Sequence, residues 1–228
     1  MPAPPLHRHQ LARLSAPGWE RVLAREWDAQ ARDCLAHWAE KGLPLVITRQ
    51  APSAAEEDGI AMGLPAPTRW GRRRLALQVP RADVSYFDEF PRLGQVVGRW
   101  SEGRRRPWHG LCESLAACGV VARVHGSHGW QFVTGLDHVR AQSDIDLWIT
   151  VSDDGQADRV AALLQAFPSE RPRLDGELVA DGNAVAWREW LAWRAGRVKT
   201  VLVKRLDGCS LRQQAAQRHP VVEEEATA

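Results

Sequence analysis

The first third of the chain shows a helical hydrophobic pattern followed by two short apolar runs. Between Glu20 and Lys41 apolar residues recur at three- and four-residue spacing, at Leu23, Trp27, Ala31, Leu35 and Trp38. This spacing predicts one amphipathic helix, and Gly42 just beyond it is a typical helix stop. Apolar runs at residues 43–50 and 74–79 predict two strands. The N-terminal part is therefore predicted to be a small α+β unit.

The remainder alternates between helical and strand patterns. Leu93 to Trp100 predicts one amphipathic helix, and a second is predicted to begin at Pro107. Apolar strands are predicted at residues 120–125, 143–151 and 199–204, with a helix capped by Asp153 after the second of them. Residues 173–179 and 184–189 flank an Asp181-Gly182 turn and predict a hairpin.

Composition changes between Pro80 and Pro91, and the domain boundary is predicted there. We expect an N-terminal α+β domain at residues 1–84 and a second domain at residues 85–210. Residues 211–228 form a polar tail with an acidic end, which we expect to be flexible.

Composition narrows the class of protein. The 228 residues are 44% hydrophobic and 25% charged, values typical of a soluble globular protein. The longest apolar runs are too short to cross a membrane, and the N-terminus lacks the apolar stretch of a secretory signal. The four cysteines lack zinc-site spacing, which predicts reduced thiols in a cytoplasmic protein. The net charge of +2 gives no reason to expect a nucleic-acid partner.

Two acidic residues stand out in the strand at residues 143–151. Because side chains alternate across a strand, Asp144 and Asp146 share one face, roughly 7 Å apart, while Ile145 and Leu147 lie on the other. Two carboxylates on one face repel each other unless a cation lies between them. Hard ions such as Mg²⁺ take oxygen ligands from carboxylates and from substrate phosphates. The pair therefore predicts a site for Mg²⁺ or Mn²⁺, although exposed acidic pairs also occur on solvated strands.

Gly126 and Ser127 follow the preceding strand directly. A glycine at a strand end permits a tight turn and lets a phosphate approach backbone amides, and the serine hydroxyl adds one donor. Alone, this dipeptide occurs in countless turns. Its combination with the Asp-x-Asp strand is a far more specific signal for phosphate chemistry.

The arrangement of a helix, a Gly-Ser and an acidic-hydrophobic-acidic strand resembles the nucleotidyltransferase superfamily. The segment between Ser127 and Asp144 is longer than in most of its members. That longer segment, in GSHGWQFVTGL followed by SDIDLW, is similar to malonate decarboxylase holo-acyl-carrier-protein synthase, the phosphoribosyl-dephospho-CoA transferase family. The resemblance extends to PLVITRQ and MGLPAPTRWGRRRLAL in the first half, and to RLDGELVADGNAVAWREW in the second.

This resemblance implies an α+β fold whose second domain is a mixed sheet with flanking helices. It also implies a reaction, in which triphosphoribosyl-dephospho-CoA donates its prosthetic group to a serine of the apo acyl-carrier subunit of malonate decarboxylase and diphosphate leaves. Asp144 and Asp146 would hold the metal ion, and Gly126 and Ser127 would hold the phosphates of the leaving group. Family members of this kind also carry a third carboxylate on a neighbouring strand.

Two residues compete for that third position, and two basic residues are candidates for triphosphate contacts. Asp175 is preferred over Glu177 because a short side chain on a central strand is better fixed, although both could form the solvent face of a hairpin. Lys204 and Arg49 lie at the ends of apolar strands, where an exposed surface role is equally consistent with the pattern. Two other functions stay open: transfer of AMP from ATP to a protein or small molecule, and an inactive binding module of the same fold.

Overall fold

The structure is a computed structural model that describes residues 5–51, 59–168 and 172–213. Within these ranges the chain forms two sheets, each with its own hydrophobic core. No helix of the described residues is long and apolar enough to cross a membrane. The architecture is α+β, as the sequence predicted.

The first sheet is antiparallel, with strand order β4-β3-β2-β1-β5. Its elements are β1 (Leu11–Leu14), α1 (Ala16–Leu23), α2 (Ala29–Glu40), β2 (Leu45–Ile47), β3 (Gly59–Pro65), β4 (Arg74–Pro80) and β5 (Val84–Asp88). Apolar residues of the sheet pack with α1 and α2 around the fully buried Trp38. Because β5 pairs with β1, this sheet extends to Asp88, a few residues past the boundary predicted at 84/85.

The second sheet is mixed, with order β11-β10-β9-β8-β7-β6. Its elements are α3 (Leu93–Val97), α4 (Glu102–Ala117), β6 (Ala122–His125), α5 (Gly126–Thr134), β7 (Ile145–Thr150), α6 (Asp154–Ala166), β8 (Leu174–Ala180), β9 (Asn183–Ala186), α7 (Trp187–Arg194), β10 (Thr200–Lys204) and β11 (Cys209–Gln213). Among the described strands of this sheet, β7 and β8 alone are parallel neighbours, and α6 connects them. The mixed sheet with flanking helices confirms the predicted class.

The two faces of the second sheet differ in character. Ile145, Leu147 and Ile149 of β7 are fully buried in the core formed with helices α3, α4, α6 and α7. The opposite face, which carries Asp146 and Trp148, is directed towards the N-terminal domain, since the His9 imidazole lies 5.1 Å from the Trp148 ring. The alternation of β7 thus places the polar candidates at the junction of the two domains.

Three local predictions were wrong. The single helix at residues 20–41 is two helices, because the Asp28 side chain accepts a hydrogen bond from Ala31 N and caps α2 as a new helix. Helix α4 begins at Glu102, and Pro107 lies inside it rather than at its start. Residues 187–189 begin α7 instead of continuing a strand.

The tail predicted at residues 211–228 overlaps a strand at its start. Residues up to Gln213 belong to β11, which pairs with β10, because that pairing satisfies backbone groups that a polar sequence pattern does not reveal. The rest of the predicted tail, residues 214–228, lies outside the described residues.

Candidate active site

Parallel pairing of β7 with β8 brings three carboxylates to one place. Asp144 immediately precedes β7, Asp146 is its second residue, and Asp175 of β8 is the register partner of Asp146. The three residues share one sheet face, because Asp144 and Asp146 are two positions apart and Asp175 lies directly opposite Asp146 on the next strand. The structure therefore groups Asp175 with the Asp144–Asp146 pair.

Burial and like charge make this group electrostatically strained. Burial, together with the neighbouring Asp175 and Asp144 carboxylates, raises the pKa of Asp146 to about 6. Asp144 accepts hydrogen bonds from Arg173, at 2.7 Å from Nη2 and 3.2 Å from Nε. The same Nη2 lies 3.7 Å from Asp175 Oδ2. Arg173 is thus the counter-ion of a group that carries excess negative charge.

Gly126 is required by its position against these carboxylates. It is the first residue of α5 and adopts a left-handed φ of 60°, which disfavours residues with a Cβ. A Cβ at this position would overlap the carboxylate of Asp146. Ser127 follows in the first turn of α5, where the free backbone N–H groups of a helix N-terminus can bind an anion. The predicted glycine-serine turn and acidic strand therefore meet in space.

The residue types of this group suit a divalent metal ion, but their side chains are not arranged around one. Three carboxylates on adjacent strands supply the oxygen ligands that Mg²⁺ and Mn²⁺ prefer. The side chains are turned elsewhere, since Asp144 binds Arg173 and Asp175 Oδ1 accepts a hydrogen bond from Gly176 N at 2.8 Å. Among the described residues, no three His, Cys, Asp or Glu side chains are arranged to hold a metal ion. Metal binding would therefore require these side chains to turn towards a common point.

Glu177, the other candidate for the third carboxylate, has a different partner. Its Oε1 lies 2.6 Å from Lys204 Nζ, and its Oε2 lies 3.8 Å from His9 Nε2. Burial acts to raise the pKa of Glu177, but the His9 and Lys204 side chains lower it to about 2. Lys204 thus neutralises a buried carboxylate, and its role in phosphate binding stays a prediction.

Arg49 lies at the junction of the two domains. Its Nε donates a long 3.4 Å hydrogen bond to the Asp207 carbonyl, and the neighbouring Gln50 N donates to the Leu206 carbonyl at 2.8 Å. These contacts tie the end of β2 to the loop between β10 and β11. A role of Arg49 in binding triphosphate also stays a prediction.

Sequence reasoning missed two residues of the site. Arg173 lies in the loop before β8, and only its position two residues before Asp175 could have suggested it. His9 comes from the N-terminal segment, and its ring stacks on His125 with centroids 4.1 Å apart. His125 is the register partner of Asp146 on β6. Contacts between residues 116 positions apart leave no local pattern in the sequence.

Comparison with known proteins covers nearly the whole described chain. Residues 7–90 match the family model for the phosphoribosyl-dephospho-CoA transferase MdcG N-terminal domain, and residues 93–215 match that for its C-terminal domain. The chain is 38% identical over 207 residues to a phosphoribosyl-dephospho-CoA transferase of Xanthomonas campestris pv. campestris (strain 8004), covering 90% of this chain and 92% of the relative.

A second relative, from Bradyrhizobium diazoefficiens, bears the same name and is 37% identical over 191 residues. The match covers 81% of this chain and 82% of the relative. No solved structure matches the chain. With both domains matched, and with the carboxylates and Gly126-Ser127 assembled at one site, the chain belongs to the phosphoribosyl-dephospho-CoA transferase family and is a transferase.

Proposed function

We propose that this transferase attaches 2′-(5″-phosphoribosyl)-3′-dephospho-CoA to a serine of the apo acyl-carrier subunit of malonate decarboxylase, with its triphosphate precursor as donor. The observation that carries the proposal is the meeting of Asp144, Asp146 and Asp175 beside Gly126-Ser127 in a chain of this family. The four cysteines are free, which is consistent with work in the reducing cytoplasm.

The reaction exchanges a phosphoanhydride bond of the donor for a phosphodiester bond to the carrier. The carrier serine oxygen forms a bond to the α-phosphorus of the donor, and the bond from that phosphorus to the oxygen bridging the α- and β-phosphates breaks. Diphosphate leaves with the bonding electrons, and the serine proton passes to a carboxylate. Such transfer depends on positioning and on compensation of charge more than on covalent participation by the enzyme.

Each site residue has a part in this scheme. Ser127 and the backbone N–H groups at the start of α5 bind the phosphates that leave, because donors at a helix N-terminus favour anions. Asp175 accepts the serine proton, since it is partly exposed and lies beside the Asp144–Asp146 pair. Asp144 and Asp146 would hold a Mg²⁺ or Mn²⁺ ion, which would supply positive charge to neutralise the phosphate oxygens.

Mass spectrometry of the carrier tests the proposal directly. The enzyme is incubated with triphosphoribosyl-dephospho-CoA, Mg²⁺ and apo carrier protein, and the mass added to the carrier is measured together with the diphosphate released. We expect one phosphoribosyl-dephospho-CoA group per carrier, and none on a carrier whose acceptor serine is alanine. Enzyme with Asp146→Asn is the matched inactive control.

Two outcomes would overturn the proposal. Addition of AMP when ATP replaces the donor, at the same rate, would identify a transferase of different specificity. Unmodified carrier under all conditions, with donor bound at the site, would identify a binding module instead.

A further inference from the structure

A cleft of about 360 Å³ lies between the two domains, beside the sheet that carries the carboxylates. The N-terminal domain contributes His7 and Glu89 to its walls, and the C-terminal domain contributes residues of β7 and β8 and of the segments around β6. Small-molecule sites have volumes of roughly 300–1,000 Å³ and often lie where two domains meet. The cleft therefore has the size and the location of a ligand site.

The cleft lies on the same sheet face as the carboxylates. Asp146, Trp148 and Thr150 alternate along β7, so Trp148 lies about 7 Å and Thr150 about 13 Å from Asp146 by strand geometry. Trp148 and Thr150 line the cleft. On β6, Arg123 and His125 are the register partners of Trp148 and Asp146. The carboxylates and the cleft are thus successive positions of one surface.

The N-terminal segment touches both places. The His9 imidazole stacks on His125, the strand neighbour of Asp146, with ring centroids 4.1 Å apart. The same imidazole meets Trp148 edge-on at 5.1 Å. The residue two positions earlier, His7, lines the cleft itself. One short stretch of the N-terminal domain therefore borders the active site and the cleft together.

Aromatic and basic side chains are fixed in the walls of the cleft. The His7 ring lies nearly parallel to the Trp148 ring, at 20° and with centroids 6.0 Å apart, and its Nε2 is 2.8 Å from Glu89 Oε1. Arg123 Nη1 donates to the Phe90 carbonyl at 2.7 Å, and Arg123 Nε lies 3.7 Å from Glu89 Oε2. These contacts hold the rings and the guanidinium in place before any ligand binds.

Arg92 adds a second guanidinium to the same wall. It forms an isolated antiparallel bridge with Arg123, so the two side chains are cross-strand neighbours. Within the described ranges Arg92 forms no ion pair, whereas Arg123 has Glu89 nearby. An aromatic surface beside a free guanidinium suits a nucleotide, because a base packs on the rings and phosphate oxygens accept paired N–H bonds.

We propose that this cleft binds the adenosine 5′-diphosphate part of the donor, with adenine against His7 and Trp148 and the diphosphate at Arg92. The inference rests on the proposed function, which supplies the identity of the donor. In that donor two linked riboses separate the reacting α-phosphorus from adenine, a span comparable to the distance along β7 from Asp146 to Thr150. The α-phosphorus can therefore lie at the carboxylates while the adenosine occupies the cleft.

Calorimetric titration in chelator, without carrier protein, tests the cleft with three probes. Dephospho-CoA and ADP both contain adenosine diphosphate, and 4′-phosphopantetheine is the remainder of dephospho-CoA. Arg92→Gln removes the free charge and Val121→Trp fills the cleft, and both replace exposed side chains. The matched controls are Arg106→Gln and Val198→Trp, which change an exposed arginine and an exposed valine away from the cleft lining.

We expect the affinity for dephospho-CoA and for ADP to fall about tenfold in Arg92→Gln, as the loss of a charge-assisted hydrogen bond implies. The fall should be larger in Val121→Trp, and neither control should change. In transfer assays the donor KM should rise by similar factors in the two cleft variants, with kcat and the carrier KM unchanged, because the lost contacts are made equally in the ground and transition states. Equal Tm values for Arg92→Gln and wild type show that unfolding is not the cause.

The inference is overturned if both cleft variants bind dephospho-CoA and ADP as tightly as wild type, or if the controls lose as much affinity as they do. It is also overturned if wild type binds neither probe. Phosphopantetheine that binds as tightly as dephospho-CoA, and that loses affinity in the same variants, would assign the cleft to the pantetheine arm instead.

These results are distinct from a failure of the proposed function. An enzyme that binds dephospho-CoA through Arg92 but leaves the carrier unmodified would refute the reaction and retain the adenosine site. An enzyme that modifies the carrier, with a donor KM that neither cleft variant alters, would retain the reaction and refute the site.

Discussion

Asp146→Asn tests whether the carboxylates are arranged for function at a cost in stability. Burial and the Asp175 and Asp144 charges raise the pKa of Asp146 to about 6 from an ordinary 3.8. The folded protein therefore holds this proton more tightly than the unfolded chain does. Stability is highest when Asp146 is protonated, and it falls as pH rises from about 4 through 6.

The magnitude follows from the pKa difference. At 1.36 kcal/mol per pKa unit, ionised Asp146 destabilises the folded state by about 3 kcal/mol above pH 7, as an upper bound. Asparagine has nearly the same shape and no charge, so it removes this cost. The variant should be more stable than wild type above pH 7 by up to that amount, and nearly equal to it at pH 3.5.

Thermal unfolding in chelator at pH 3.5, 5 and 8 measures the effect. For a chain of this length about 1 kcal/mol corresponds to roughly 2–4 °C in Tm, so a difference of several degrees is expected at pH 8. Asp137→Asn changes an exposed carboxylate and serves as the control, with a Tm difference that does not grow with pH.

Adding Mg²⁺ and donor should stabilise wild type, because a ligand bound only by the folded state raises its stability, and should not stabilise Asp146→Asn. Transfer activity should be lost in the variant. An Asp146→Asn enzyme that keeps near-normal activity, or that is less stable than wild type at every pH, would refute this account of the site.

Two further predictions concern neighbouring groups. Gly126→Ala should abolish transfer and destabilise the protein by about 1–2 kcal/mol, because residue 126 has a left-handed φ and a Cβ there overlaps Asp146. The control Gly110→Ala lies in open space within α4 and should stabilise the helix slightly. Equal Tm shifts in the two variants would contradict this prediction. Lys204→Met should cost up to about 3 kcal/mol at pH 7, because it leaves Glu177 buried without its counter-ion. Since the pKa of Glu177 is lowered to about 2, its contribution exists above about pH 4.5 and is lost as pH falls towards 2. Acid titration of wild type should show that loss and the variant should not, and adding Glu177→Gln to Lys204→Met should recover much of the stability.

Local pattern alone determined the elements on which the site is built. Strict alternation in β7 separated Ile145 and Leu147 from Asp144 and Asp146, because a strand directs successive side chains to opposite faces. The strand-glycine-serine order predicted a turn that the structure shows as the start of α5. Local pattern misplaced the helix start at Pro107, because packing of Trp108 and Leu111 outweighs one missing hydrogen bond.

What only the tertiary structure decided is the set of neighbours around those elements. Parallel pairing of β7 with β8 places Asp175 beside Asp146, while Glu177 forms an ion pair with Lys204. Which of the two carboxylates lies next to Asp146 depends on the strand register and not on either local sequence. Arg173 and His9 reach the site from a loop and from the other domain. Such contacts follow from the packing of distant segments, and periodicity within a segment carries no information about which other segment it will contact.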